Sequence, residues 1–284
     1  MGNTSEKPIV QKQYGNTWEF VYPLSIIDER VSDEFWEAVE FLDDSDLIAE
    51  KMLKKLVLEH PYYIDAYVHL SIAYRSQEKT FESLLTAEKA FNVGIGCLPK
   101  AFNLKKDQLI WPMSDNRPFL RACQNWGVEL QYHTKYSEAV EIYRLNLALN
   151  PEDHQGIRYL LLETLFALKD YKQAEDLLNQ YPDDFTIEFK FGIVAVHILN
   201  DNLKLADQHL EEAVQTNTFF IDEVTRTKHV KPLPYRIPGE PNFDAGIPTR
   251  SVQEAYGYWE RNKELYHNKK IISYFKTVQK SDTR

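Results

Sequence analysis

The sequence predicts an all-α solenoid of about five stacked helix pairs, and three observations support that fold class. The first is a recurring small residue that opens a packing stripe. Ala49 leads Leu53 and Leu56, Ser83 leads Ala87 and Ala90, and Ala139 leads Tyr143 and Asn146. Ala174 leads Leu178 and Tyr181, and Ala206 leads Leu210 and Ala213. These leaders lie 34, 56, 35 and 32 residues apart, the second interval being one period lengthened by a 22-residue insertion. The second is punctuation. Pro61 and Pro151 each fall twelve residues after a leader, where a proline ends the second helix of a pair. The third is Ser71 and Gly127, each twelve residues before a leader. A small residue there lets the two helices of a pair approach closely.

A two-helix period of ~34 residues is that of the tetratricopeptide repeat (TPR), so the expectation sharpens to a TPR-like right-handed α-solenoid. One such pair buries too little apolar surface to stand alone, and stacking supplies the shared core. The spacing places helix pairs at 33–60, 64–92, 120–149, 155–181 and 187–216. In the fourth, Leu160, Leu161, Leu165, Phe166 and Leu168 form the stripe of a buried helix.

The remaining segments break the period. Residues 1–28 read as an N-terminal arm, extended on the surface, with Tyr14, Trp18, Phe20 and Tyr22 in near alternation. The repeat domain runs over 29–220. Its insertion, 98–118, has Pro99, Pro112 and Pro118 against a long helix, yet Phe102, Leu109, Ile110 and Trp111 are too apolar for a free loop. It is expected to fold back on the solenoid, either at the binding face or as a core plug. Residues 221–284 form a C-terminal strap and capping helix. Phe219–Val224 reads as a short strand, and 232–248 as a proline-spaced strap. Ser251 and Glu254 have the form of a capping box, opening a helix that bears Ala255, Tyr258, Trp259 and Leu265. Gln279 to Arg284 is expected to fray.

Composition limits the function. The net charge of −10 disfavours nucleic acid, whose phosphates need Lys and Arg. Cys97 and Cys123 lack metal spacing and read as reduced thiols of a cytoplasmic protein. No secretory signal and no membrane span is legible. Gly-rich phosphate loops, GxSxG and HExxH are absent, so no catalytic residue, metal or cofactor is expected, and the chain reads as a non-enzyme.

What remains is a binding face. Counting from repeat starts near 120 and 155 places Arg121, Gln124, Val128 and Gln131, then Tyr159, Glu163 and Phe166, on the groove formed by first helices. With Arg117, His154 and Arg158 they form a candidate site for a partner protein or peptide segment, whose identity the sequence does not give. Arg can fork onto a carboxylate and Tyr can stack. The same arginines could instead pair with Asp115, Asp153 and Glu163 to fix repeat register. Two other readings stay open: an enzyme or enzyme subunit using His154, Glu163 or His133 in a polar acid–base pocket near 154–163, and a nucleic-acid-associated regulatory adaptor using Lys228, His229, Lys231 and Arg236.

The run Asn116-Arg117-Pro118-Phe119-Leu120-Arg121-Ala122, followed by Asn150-Pro151-Glu152-Asp153-His154-Gln155-Gly156-Ile157-Arg158-Tyr159-Leu160-Leu161, resembles a bacterial TPR family similar to the ST7 (suppression of tumorigenicity) proteins. Leu98-Pro99, Phe102, Trp111 and the helix with Glu254-Ala255 and Tyr258-Trp259 extend the resemblance over about residues 98–265. His154 stands where that family has Asn. The resemblance implies a TPR fold and no particular chemistry.

Overall fold

The computed structural model describes residues 6–236, 239 and 246–282. Parts of three expectations lie outside them: the first five residues of the N-terminal arm, the middle of the strap (237, 238 and 240–245) and the last two residues of the tail. The chain divides into two compact units, Met1–Leu161 and Leu162–Arg284.

Unit 1 opens with a β-hairpin, β1 (Ile9–Tyr14) and β2 (Thr17–Val21), paired antiparallel with Val10 opposite Phe20 and Lys12 opposite Trp18. The turn is Gly15-Asn16, with Gly15 at φ 52°, the left-handed conformation that glycine adopts at no steric cost. This corrects the surface arm. Trp18, Phe20 and Tyr22 are buried, and Phe20 packs on Phe119 at 5.5 Å. After α1 (Leu24–Ile27) come the expected pairs α2 (Glu29–Glu40) with α3 (Asp46–Glu59), α4 (Ile64–Ser76) with α5 (Thr80–Cys97), and α6 (Arg117–Tyr132) with α7 (Tyr136–Leu149).

The 98–118 insertion is a plug held from both sides. Trp18 N donates to Gln108 O at 2.9 Å, Gln108 N to Asn16 O at 2.8 Å, and Leu109 N to Leu149 O at 2.9 Å. Leu109 is fully buried. Asn116 clasps the hairpin: its Nδ2 donates to Trp18 O, and Phe20 N donates to its Oδ1, both at 3.0 Å. An asparagine satisfies an edge strand in this way because its amide offers one donor and one acceptor, as a neighbouring strand would.

Helix α8 (Ile157–Ala167) spans the division between the units. Unit 2 continues with α9 (Tyr171–Gln180), α10 (Ile187–Leu199) and α11 (Leu203–Thr216). The segment expected as a strand is the helix α12 (Phe220–Thr225); Phe220, Ile221 and Val224 are buried at a helical interval, whereas an alternating strand would expose every second one. Helix α13 (Val252–Arg261) begins with the expected cap, the Ser251 hydroxyl accepting from Glu254 N at 3.1 Å. Helices α14 (Lys263–Tyr266) and α15 (Lys269–Asp282) follow. The helix thus continues to Asp282 where fraying from Gln279 was expected, tied in part by Gln279 Nε2 donating to Asp222 at 2.6 Å.

The repeat is visible in the backbone itself. Ala49, Ser83, Ala139, Ala174 and Ala206 are all fully buried. Five residues before the last four of them, Glu78, Thr134, Lys169 and Asp201 turn the chain between helices with φ of 60°, 57°, 59° and 58°. Each of the last four pairs therefore uses the same left-handed corner, and none of the four corners is a glycine.

Candidate functional site

Helix α6 is buried on nearly every side. Proline in its first turn costs no hydrogen bond. Gly127 lets α7 in so closely that a Cβ there would stand 2.3 Å from the Tyr143 ring, and Phe119 lies equally tight against Gly94 of α5. What stays half-exposed up to Gln131 is one stripe: Arg117, Pro118, Arg121, Gln124, Val128 and Gln131. Of the positions counted from the sequence, Arg121, Gln124, Val128 and Gln131 lie along it, and Tyr159, Glu163 and Phe166 lie on α8.

Each polar member of the stripe is held in place. Arg121 forks onto Asp65 of α4, Nε donating to Oδ1 at 2.9 Å and Nη2 to Oδ2. Arg117 Nε donates to Trp111 O at 3.0 Å, and both guanidiniums stand over the Trp111 ring, at 5.2 and 5.8 Å. Gln124 Oε1 accepts from Gln155 Nε2 at 2.8 Å, and Gln131 Oε1 from the Tyr143 hydroxyl at 3.0 Å. Beneath the stripe, Arg75 of α4 reaches Asn125 Oδ1 at 2.8 Å and Glu129 at 2.9 Å. The Ser83 hydroxyl donates to the same fully buried Glu129 carboxylate at 2.7 Å. Asn125 Nδ2, Glu129 Oε2 and Gln155 Oε1 are buried without a hydrogen-bond partner, a cost that packing alone does not explain.

The electrostatics follow from this burial. Burial pushes the Tyr22 hydroxyl well above its usual range, Asp65 adds to the rise, and Arg121 opposes it. Burial also lowers the His69 imidazole, against the pull of Asp65.

The residues after α7 are largely a helix-capping device. Asp153, at φ 48°, accepts from Ile157 N at 2.6 Å, Arg158 N at 3.1 Å and Arg158 Nη1 at 2.8 Å. A buried carboxylate at the start of α8 is stabilised by these donors and by the helix dipole. Arg158 also lies over the Tyr159 ring at 4.3 Å. Gly156, at φ 69°, completes the turn. His154 is exposed. Of the carboxylates considered as register partners, Asp153 is bound by Arg158, while Arg121 takes Asp65, which was not among them.

In unit 2, Glu163 of α8 is bound by Arg261 of α13, Nε to Oε1 at 2.8 Å, and the same guanidinium reaches Glu188 of α10 at 2.8 Å. Burial raises the Glu188 carboxyl; its own backbone N–H and Arg261 act against that. Phe166 departs from the expectation. It is 5% exposed and lies where a Cβ on Gly192 would meet it at 3.4 Å, so it belongs to the core of unit 2. The reason is α8's own composition, which is apolar around most of its circumference. His133, weighed as an acid–base group, faces the Thr80 carbonyl at 3.2 Å. Among the described residues no cluster of three or more His, Cys, Asp or Glu could hold a metal ion. No helix among them is long and apolar enough to cross a membrane.

The residues missed by sequence reasoning are Asp65, Arg75, Asn125 and Glu129. The signal was available: Asp65 and Arg75 occupy on α4 the kind of first-helix positions that were counted only on the third and fourth pairs.

A family model described as "Transcriptional repressor TCF25" matches residues 20–283. No curated protein matches the sequence. Among solved structures, the TPR-like repeats of a putative kinesin light chain from Podosopora anserina align at 15% identity. The alignment covers 66% of this chain and 94% of that one, with a TM-score of 0.50. A tetratricopeptide repeat protein from Parabacteroides merdae aligns at 16% identity, over 65% of each chain, with a TM-score of 0.50. YrrB, described as a TPR protein with an unusual peptide-binding site, aligns at 14% identity, over 67% of this chain and 89% of its own, with a TM-score of 0.50. At these identities the likeness concerns the fold alone. The family that matches is Tcf25, and nothing in the comparisons points to the ST7-like proteins or to a bacterial source.

Proposed function

The chain belongs to the Tcf25 family, and from that premise we propose that it is a scaffold whose unit 1 grips an extended segment of a partner protein along the α6 stripe. The observation that supports this most is the stripe itself. A helix buried almost all round leaves one polar row, and its arginines are braced by the carboxylate of Asp65 and the ring of Trp111. A braced guanidinium loses little side-chain freedom on binding, so it meets a carboxylate or a peptide carbonyl at reduced entropic cost. The buried orphans beside it suit an extended backbone: Asn125 Nδ2 is a donor in search of a C=O, and Gln155 Oε1 an acceptor in search of an N–H.

The family description as a transcriptional repressor fits action through protein contacts. With a net charge of −10, the chain lacks the cationic excess that phosphate binding requires.

The test is selection of peptides from a displayed random library on the full chain, followed by affinities for the chain with Val128→Glu, Gln124→Ala or, as a control on α5, Phe81→Ser. The expected outcome is enrichment of a defined motif, with binding weakened about tenfold or more by Val128→Glu and unchanged by Phe81→Ser. A motif whose binding ignores Val128→Glu and Gln124→Ala removes the assignment.

A further inference from the structure

The stretch between α12 and α13 carries a small basic run, Lys228, His229, Lys231 and Arg236, that the candidate site does not use. Pro232 and Pro234 fix φ near about −65° and hold Lys231 and Leu233 extended, the local conformation of a polyproline helix. Such a helix repeats every three residues. His229 and Pro232, three apart, are half-buried, while Tyr235, three further on, is exposed at 41%, less than Val230 or Leu233. Between them Val230 stands 59% and Leu233 84% exposed, and Lys231, Pro234 and Arg236 are exposed too.

The half-buried edge is anchored. The His229 ring lies flat on Trp259 of α13, 3.7 Å between centroids and 8° from parallel. His229 Nδ1 is 2.8 Å from Glu223 Oε1, and Arg226 reaches the same buried carboxylate at 3.0 Å. Gln253 Nε2 donates to the Leu233 carbonyl at 2.9 Å. One edge is thus clipped to unit 2, and the edge bearing Val230, Leu233 and Arg236 projects from it.

We propose that Val230–Arg236 is a preformed linear ligand for a separate proline-recognising domain, one whose groove is lined by aromatic side chains and edged by carboxylates. A single exposed leucine needs no explanation. A proline-set extended segment clipped at His229 and at the Leu233 carbonyl does, because it presents an extended, low-entropy peptide of the kind such grooves bind. The aromatic lining matches Val230, Leu233 and Pro234. The acidic edge matches Lys231 and Arg236, cations at either end of the segment in a chain that is otherwise acidic. None of these residues lies in unit 1, so the proposal stands or falls independently of the α6 stripe.

The experiment places the full chain against an array of purified SH3, WW and EVH1 domains and measures binding by biolayer interferometry. The variants are Leu233→Ser, Val230→Ser and, as an equally exposed leucine elsewhere, Leu58→Ser, each checked for an unchanged circular dichroism spectrum. The proposal expects at least one acidic-edged domain to bind, Leu233→Ser to weaken it about tenfold, and Leu58→Ser to leave it unchanged. It is overturned if no domain binds the wild-type chain, or if Leu58→Ser matters as much as Leu233→Ser. It also fails if a single-stranded RNA probe binds instead and Lys231→Ser, with Leu233→Ser silent, abolishes that binding.

Discussion

The two units solve the same packing problem with different chemistry. In unit 1 buried or nearly buried carboxylates are each met by a cation: Asp65 by Arg121 and Glu129 by Arg75 join α4 to α6, Glu50 is met by Lys54 of its own helix and by Lys79, and Asp153 by Arg158 in the cap of α8. Burial would raise the Glu50 carboxyl, but hydrogen bonds from Lys54, Lys79 and Gln77 outweigh it and bring the group down to about 2. In unit 2 the centre is aromatic. Phe220 sits 4.5 Å from Phe191, 5.0 Å from Tyr258 and 4.9 Å from Tyr266, and the two tyrosine hydroxyls are 2.8 Å apart. Ion pairs in a low-dielectric setting add little net stability but penalise wrong registers, whereas aromatic packing stabilises through buried area. Unit 2 has directional contacts as well, at Arg261 and Glu223, but unit 1 is the one that leaves a polar stripe half open along α6. A binding face needs defined positions more than it needs maximal stability.

The largest effects should come from removing the centre of each unit. Glu129→Ala strands Arg75 and Ser83, a loss of about 3–5 kcal/mol for a broken buried pair. Phe220→Ala opens a cavity in unit 2 at a similar cost of about 3–5 kcal/mol. Hydrogen exchange should place the loss of protection within residues 6–161 for the first variant and in α10–α15 for the second. Identical maps for both would break the comparison. Next in size, Gly127→Ala forces a methyl against Tyr143 and should cost about 1–3 kcal/mol in a urea titration, provided the ring shifts to admit it.

A smaller change should run the other way. Thr134 is β-branched at φ 57°, a conformation that costs an L-residue roughly 1–2 kcal/mol. Thr134→Gly should therefore raise the thermal midpoint. Asp201→Gly, at the matching corner of unit 2, should gain less, because aspartate tolerates this region. Equal gains would show that the corners are not distinguished by their side chains.

The smallest effect is on pH. Burial is the main cause lowering both His69 in unit 1 and His197 in unit 2; Asp65 opposes it at His69, and Glu175 opposes it at His197, where His209 adds to the lowering. Their folded-state values lie below the unfolded 6.5, so the unfolded chain takes up protons first. The stability these groups contribute is full above 6.5 and is lost as pH falls below it. Denaturation midpoints should fall between about pH 7 and about pH 5, and His197→Gln should remove unit 2's share of the slope.

Most of the helical fold was legible because the period is written in small residues. Ala49, Ser83, Ala139, Ala174 and Ala206 mark second helices, and all are buried because only small side chains fit where helices cross. The hairpin was missed although Gly15-Asn16 between alternating runs is a turn signal. The alternation of Trp18, Phe20 and Tyr22 was read, but the insertion that receives them is 90 residues away along the chain. Phe219–Val224 failed because a short apolar run has no period of its own to separate strand from helix. The site was half legible. The α6 stripe follows from a count along one helix, but the partners of its arginines do not. Asp65 lies 56 residues from Arg121, and only the close packing of α4 on α6 brings them together. Likewise the run around His154 looked like a ligand site because capping chemistry and ligand chemistry use the same residue types.

The most direct test is photo-cross-linking with p-benzoylphenylalanine placed at Gln124 or, in separate chains, at Leu85 on α5, each incubated with the peptide motif selected on the full chain. A cross-link from position 124 and none from position 85 is the predicted result. Efficient capture from position 85 with silence at 124 would contradict the claim that the α6 stripe is where the chain meets its partner.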